Sequence, residues 1–294
     1  MIDGFENGTA QLGDQTIAYS IGGSGPALLL LHGFPQTRAM WRQVAPALAQ
    51  HFTVVAADLR GYGDSAAPEG MESYSFRAMA ADQTALMAHL GYDSFHLVGH
   101  DRGARTAHRL TLDAPEAVKS LTVMDIIPTH TLLNDLQQNV ARAYYHWFFL
   151  AQPAPFPENL IASDPDTYYQ TALTAWGATP LDAFDPVALD HYRNAWRKPE
   201  VIHATCNDYR AAIDVDFALD AADLGREITC PALVLYGADG IMGKLYDVPA
   251  TWADRLTHMQ SAGLPGGHFF VDEHPAGTRQ ALLDFLLSDT VVRL

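Results

Sequence analysis

The chain has 294 residues, 48% hydrophobic and 18% charged, a balance that suits a packed globular fold and excludes a disordered one. Asp and Glu number 34 against 18 Lys and Arg, a formal net charge of −16. That charge excludes nucleic acid and anionic membrane as partners, and an anionic substrate needs arginines placed beside it.

The start, Met1-Ile-Asp-Gly-Phe-Glu6, has neither the basic nor the apolar part of a signal peptide. No apolar run nears the roughly 20 residues that span a bilayer. Cys206 and Cys230 lie far apart and lack metal-ligand spacing, so core thiols in a reducing compartment are expected. The expectation is a soluble cytoplasmic protein.

In chain order, Thr16 to Ile21 alternates as a strand and runs into the loop Gly22-Gly-Ser-Gly-Pro26. Ala27 to His32 and Thr53 to Asp58 are short continuous apolar runs, the mark of strands buried on both faces. Between them, Gly33-Phe-Pro35 turns the chain and Trp41 to Leu48 has helical spacing. Phe76 to Leu90 reads as an amphipathic helix stopped by Gly91. Phe95 to His100 and Leu121 to Asp125 are further strands, with a helix from about Ala104 to Leu112 between them.

From about Pro128 to Arg226 the rhythm breaks into proline-separated helices crowded with aromatics, Tyr144, Trp147, Tyr169, Trp176 and Trp196 among them. The core pattern resumes at Pro231 to Gly237, and a last helix lies near Thr278 to Leu287. Strands alternating with helices predict an α/β fold with a mostly parallel sheet and helices on both faces. The predicted organisation is a core of residues 1–128 and 229–294, with a helical cap of residues 129–228 inserted.

In such sheets the chemistry collects at the carboxyl ends of the strands, where His32, Asp58, Asp101 and Asp125 stand. Gly99-His-Asp-Arg-Gly103 fits G-x-nucleophile-x-G, a sharp turn from strand to helix whose glycines leave room for a strained backbone. Aspartate occupies the nucleophile position. A carboxylate is ionised at neutral pH and needs no base, so it suits attack on a saturated carbon bearing a leaving group. The product is an alkyl ester that water must cleave. The competing reading of Asp101 as a helix N-cap explains neither the flanking glycines nor the partners elsewhere in the chain.

His268, after Gly266-Gly267, stands where chain order puts the general base that activates that water. Two carboxylates, Asp125 and Asp239, both follow strands and both qualify as the acid that orients it. Arg102 and Arg105 occupy the first turn of the helix after Asp101. Cations there oppose the helix dipole, so two guanidiniums in that turn point to a bound carboxylate. They are also expected to lower the pKa of Asp101. The backbone N–H groups of Phe34 and Arg102 are candidates for an oxyanion hole.

At these residues the chain resembles the fluoroacetate dehalogenases, within the α/β-hydrolase family that also holds haloalkane dehalogenases and epoxide hydrolases. The resemblance runs over nearly the whole length. It is carried by Gly99-His-Asp-Arg-Gly-Ala-Arg105, Val123-Met-Asp-Ile-Ile-Pro-Thr129, Tyr145-His-Trp147 with Gln152-Pro-Ala-Pro155, Cys206-Asn-Asp-Tyr-Arg210 and Gly267-His-Phe269. It implies Asp125 as the acid, Arg102 and Arg105 as carboxylate ligands, and His146, Trp147 and Tyr209 as halide donors. It further implies a haloacid substrate, no metal or organic cofactor, and a homodimer. An epoxide hydrolase built on the same aspartate is the alternative, and there the arginine pair has no purpose.

Overall fold

The computed structural model describes residues 1–175 and 179–292; Trp176 lies outside them. Its centre is an eight-stranded sheet: β1 (Glu6–Leu12), β2 (Gln15–Gly23), β3 (Ala27–Leu31), β4 (Thr53–Ala57), β5 (Phe95–His100), β6 (Val118–Met124), β7 (Ala232–Gly237) and β8 (Met259–Leu264). The strand order is β1-β2-β4-β3-β5-β6-β7-β8. β2 pairs antiparallel with β1 and β4, and every other pairing is parallel.

Every residue of β3 and β5 is buried, which is why both read as apolar runs rather than alternating ones. The edge strands β1 and β8 escape that reading. Their faces are half solvated and their sequences, ENGTAQL and MQSAGL, carry little apolar pattern. The stretch expected as a helix from Trp41 divides into a 3-10 turn, Arg38–Gln43, and a single α turn, Ala45–Leu48. Pro46 accounts for the break, since it supplies no N–H and fits the first turn of a new helix.

Helix α1 (Phe76–His89) lies before β5, and α2 (Arg102–Asp113) follows β5 directly, starting two residues earlier than its apolar pattern suggests. Between β6 and β7 the described residues form helices and no strand, including α3 (Tyr145–Leu150) and α4 (Pro199–Ala211). Trp147, Tyr169, Tyr192, Trp196 and Tyr209 all turn inward from this insertion and are buried. Their aromatic density is therefore packing against the sheet domain as well as chemistry. Among the described residues no helix is long and apolar enough to cross a membrane.

β3 has β4 on one side and β5 on the other, so the direction of strand succession reverses there. Ligands of open α/β sheets bind at such a reversal, outside the carboxyl ends of the strands. The loop His32 to Pro35 and the turn at Asp101 leave the sheet at that place.

Candidate active site

Asp101 sits between β5 and α2 with φ 48° and ψ −114°, outside the regions L-residues favour. The turn closes because Gly99 and Gly103 have no side chains. A Cβ on Gly99 would enter the Gly103 carbonyl, and one on Gly103 would enter the backbone of Leu31 and His32. The Asp101 side chain caps no helix N–H, which removes the N-cap reading. Its Oδ1 instead accepts the Phe34 N–H at 3.0 Å. Among the described residues this is the one backbone donor on the carboxylate; the Arg102 N–H, the other expected member of the oxyanion hole, does not bond to it.

Oδ2 of Asp101 lies 3.7 Å from Nε2 of His268, whose Nδ1 is 2.6 Å from Oδ2 of Asp125. Asp125 follows β6 at φ 52°, and its Oδ1 accepts the Gly237 N–H at 2.9 Å. Asp101 and Asp125 are the two non-glycine residues of positive φ among the described residues, so the backbone strain of this chain is concentrated here. Of the two candidate acids, the structure places Asp125 against the His268 ring. Asp239 accepts the Gly266 N–H at 3.1 Å and shapes the turn before His268.

His100 adds a brace. Its Nε2–H donates to the His268 carbonyl at 2.8 Å, and its buried ring, with a pKa lowered to about 4 by desolvation, stays neutral. The other two strand-end residues, His32 and Asp58, serve the scaffold. Nε2 of His32 accepts the Leu59 N–H at 3.1 Å, while Asp58 accepts the Arg38 and Asp64 N–H groups and pairs with the Arg38 guanidinium.

Burial opposes the ionised form of Asp101, but the charges of His268, Arg102 and Arg105 outweigh it and hold the carboxyl at about 2. His268 exceeds the arginines in this, because its imidazole, 3.7 Å away, is the nearer group. For His268 burial disfavours the imidazolium, yet the Asp125 hydrogen bond and the charges of Asp125 and Asp101 raise its pKa above the usual value.

Arg102 and Arg105 are both buried, at 0% and 3% exposure, so neither is a surface arginine. Arg102 is half committed. Its Nε and Nη2 form a fork on the Asp208 carboxylate, and Nη2 also donates to the Asp208 carbonyl at 2.9 Å. Asp208, in α4, accepts the Tyr62 O–H at 2.7 Å as well. Nη1 of Arg102 has no partner among the described residues. Arg105 directs Nη1 to the Ile127 carbonyl and the Thr129 hydroxyl, both at 3.0 Å, and leaves Nε without a partner. Burial and the charge of Arg102 push its pKa down to about 10. A substrate anion answers both deficits: two unmet donors and, in Arg105, a guanidinium with no salt bridge among the described residues.

Sequence reading missed Asp208 as a functional residue. It stood inside Cys206-Asn-Asp-Tyr-Arg210, but only its fork with the Arg102 guanidinium shows what it holds.

The expected halide donors converge on this place. The Tyr209 ring lies edge-on to Phe34, Trp147 and His146, with centroids 5.3, 5.4 and 5.6 Å apart. The Arg102 guanidinium sits 4.3 Å from the Tyr209 centroid and 4.9 Å from that of Trp147. His146, Trp147 and Tyr209 are each at most 2% exposed. Burial keeps His146 neutral, and burial followed by the charge of Asp101 keeps the Tyr209 phenol protonated. The Tyr209 hydroxyl has no hydrogen-bond partner among the described residues.

A strained aspartate on a strand-to-helix turn, a histidine facing it and an acid behind that histidine form the arrangement that the sequence motif anticipates in a hydrolase. Residues 26–275 match the α/β hydrolase fold model, and the chain belongs to the α/β-hydrolase family. It is 56% identical to a fluoroacetate dehalogenase from Burkholderia sp. over 97% of this chain and 95% of that one. It is 31% identical to a soluble epoxide hydrolase from Corynebacterium sp. (strain C12), over 94% and 95% of the two chains. A crystal structure from Nostoc sp. PCC 7120, described as an α/β hydrolase, superposes with a TM-score of 0.95 at 49% identity and covers 97% of this chain and 99% of that one.

Proposed function

We propose that this protein is a haloacetate dehalogenase that hydrolyses fluoroacetate to glycolate and fluoride through an ester on Asp101. One observation carries the reading: unmet guanidinium donors on Arg102 and Arg105, buried beside an ionised aspartate that faces a histidine. The relative at 56% identity supports the same substrate class.

The haloacetate carboxylate takes Nη1 of Arg102 and Nε of Arg105, which leaves its α-carbon one bond from the anchored group and within reach of Asp101. Oδ2 of Asp101 displaces the halogen in line. Fluoride is small and strongly hydrated, so imidazole, indole and phenol donors from His146, Trp147 and Tyr209 replace the water it would otherwise need. They act where charge develops, which lowers the barrier rather than only tightening binding.

Esterification removes the Asp101 charge, one of the influences that raise the His268 pKa. The imidazole becomes easier to deprotonate at the step where it must accept a proton from water. Asp125 holds Nδ1–H, so Nε2 faces the ester. The Phe34 N–H, already on Oδ1, stays on that oxygen as it becomes the oxyanion.

An epoxide hydrolase acting on uncharged epoxides is the second reading, supported by the relative at 31% identity. It leaves the free donors of Arg102 and Arg105 buried and unmet, at a cost of roughly 1–3 kcal/mol for each group. A receptor that binds a small acid without turnover leaves the Asp125–His268 pair without a task. Fluoride-selective electrode readings with fluoroacetate and chloroacetate side by side test the proposal. Halide release that Asp101→Ala abolishes supports it; glycolate binding with no halide release refutes it.

A further inference from the structure

Dehalogenation draws on Tyr209 as a hydrogen-bond donor and never on its proton. The phenol is wholly buried, its hydroxyl has no partner among the described residues, and a guanidinium lies 4.3 Å from its ring centroid. A halide departs as a stable anion. An oxygen leaving group does not, and needs a proton as it goes. The site therefore holds one more chemical capability than fluoroacetate requires: a carboxylate anchor, an aspartate nucleophile and an acid opposite it.

We propose that this protein also hydrolyses α,β-epoxy carboxylates, with oxirane-2-carboxylate opened to glycerate as the smallest case. The inference rests on the carboxylate-binding and nucleophile roles assigned above.

With the carboxylate on Arg102 and Arg105, the α-carbon of the oxirane takes the place of the fluoroacetate α-carbon, and the ring oxygen takes the place of fluorine. Asp101 forms a bond to the α-carbon while the bond from that carbon to the ring oxygen breaks. The electron pair stays on the oxygen, which remains attached to the β-carbon and takes the Tyr209 proton. His268 then removes a proton from water, the resulting hydroxide attacks the ester carbonyl, and the alkoxide of glycerate leaves with the proton from His268. The carboxylic acid left on Asp101 returns a proton through His268 to the Tyr209 phenolate. One water is consumed and no oxidant or reductant is needed.

Two features make Tyr209 a usable acid despite its burial. An alkoxide is far more basic than a phenolate, so transfer runs downhill. The attack also consumes the Asp101 charge, one of the two main influences holding the phenol protonated, while the Arg102 guanidinium that favours the phenolate stays in place. Neutral His146 and Trp147 donate hydrogen bonds but have no comparably acidic proton. The arginines set the scope, because an uncharged oxirane such as glycidol leaves both free donors unmet.

The purified protein is incubated with oxirane-2-carboxylate in heavy-oxygen water over many turnovers, beside fluoroacetate and glycidol. Mass spectrometry and carbon NMR should show glycerate labelled at the α-hydroxyl, absent with Asp101→Ala, and glycidol turned over at least a hundredfold more slowly. Tyr209→Phe should lose at least a hundredfold more on the epoxide than on fluoride release, because the epoxide loses its proton source while fluoride loses one of three hydrogen-bond donors. Fluoride release without glycerate overturns the inference and leaves the dehalogenase reading standing. Label at the β-carbon, or equal losses on both substrates in Tyr209→Phe, also overturns it. No halide release from fluoroacetate refutes the dehalogenase reading itself, whatever the epoxide does.

Discussion

Replacing Asp208 with asparagine keeps the shape of the side chain and removes the counter-charge of Arg102. The wild-type carboxylate accepts two guanidinium N–H groups and the Tyr62 hydroxyl, and both partners of the ion pair are 0% exposed. Asparagine turns an NH2 toward one of those donors and leaves a buried cation unpaired. Breaking a buried pair by removing one partner costs roughly 3–5 kcal/mol. Chains of this size lose a few degrees in Tm for each kcal/mol, so Asp208→Asn should melt roughly 10 °C lower by calorimetry.

The same change frees Arg102 to bind an external anion. Product glycolate, at one fixed concentration, should therefore raise the Tm of Asp208→Asn more than that of the wild type. A tenfold gain in glycolate affinity corresponds to about 1.4 kcal/mol of extra stabilisation. An unchanged Tm, or an equal glycolate shift in both proteins, would refute the view that Asp208 balances Arg102 and leaves Nη1 for substrate.

Asp125→Asn should reduce turnover by about 10⁴, the loss known when the acid of a comparable triad becomes an amide and the histidine takes the wrong tautomer. Asp239→Asn, at a side chain that accepts the Gly266 N–H, should stay within a few-fold of wild type in the same halide assay. His268→Asn should accumulate the ester, visible by intact-protein mass spectrometry after fluoroacetate exposure; a protein that releases halide with no adduct contradicts the assigned base. The pH dependence should separate the two half-reactions. Asp101 stays ionised down to about 2, whereas His268 becomes protonated as pH falls below a pKa raised above the usual histidine value. At pH 5, rapid-quench measurements should keep a stoichiometric halide burst while steady-state turnover falls, because only ester hydrolysis needs neutral imidazole. Parallel loss of burst and turnover would contradict that assignment.

What could be read from the chain and what could not divide along physical lines. β3 and β5 announce themselves because strands buried on both faces are apolar throughout. The elbow is legible because its glycines stand two residues either side of one carboxylate. Asp125 and Asp239 could not be told apart by position, since both follow parallel strands; the resemblance favoured Asp125, and the fold sets it 2.6 Å from His268. Arg102 and Arg105 were legible as cations placed against a helix dipole, but Asp208 was not. It lies 106 residues further along the chain, and nothing local marks an aspartate in α4 as the partner of Arg102. Likewise β1 and β8 carry the polar residues of sheet edges, and no periodicity separates them from loops.

The central claim is a covalent ester on Asp101 that water cleaves at the carboxyl carbon. Single turnover of fluoroacetate in heavy-oxygen water, with enzyme in excess, tests it most directly. Label should appear in the Asp101 peptide, and the glycolate of that first turnover should be unlabelled. Labelled glycolate with an unlabelled Asp101 would mean that water attacks the substrate itself, and the ester mechanism would be wrong.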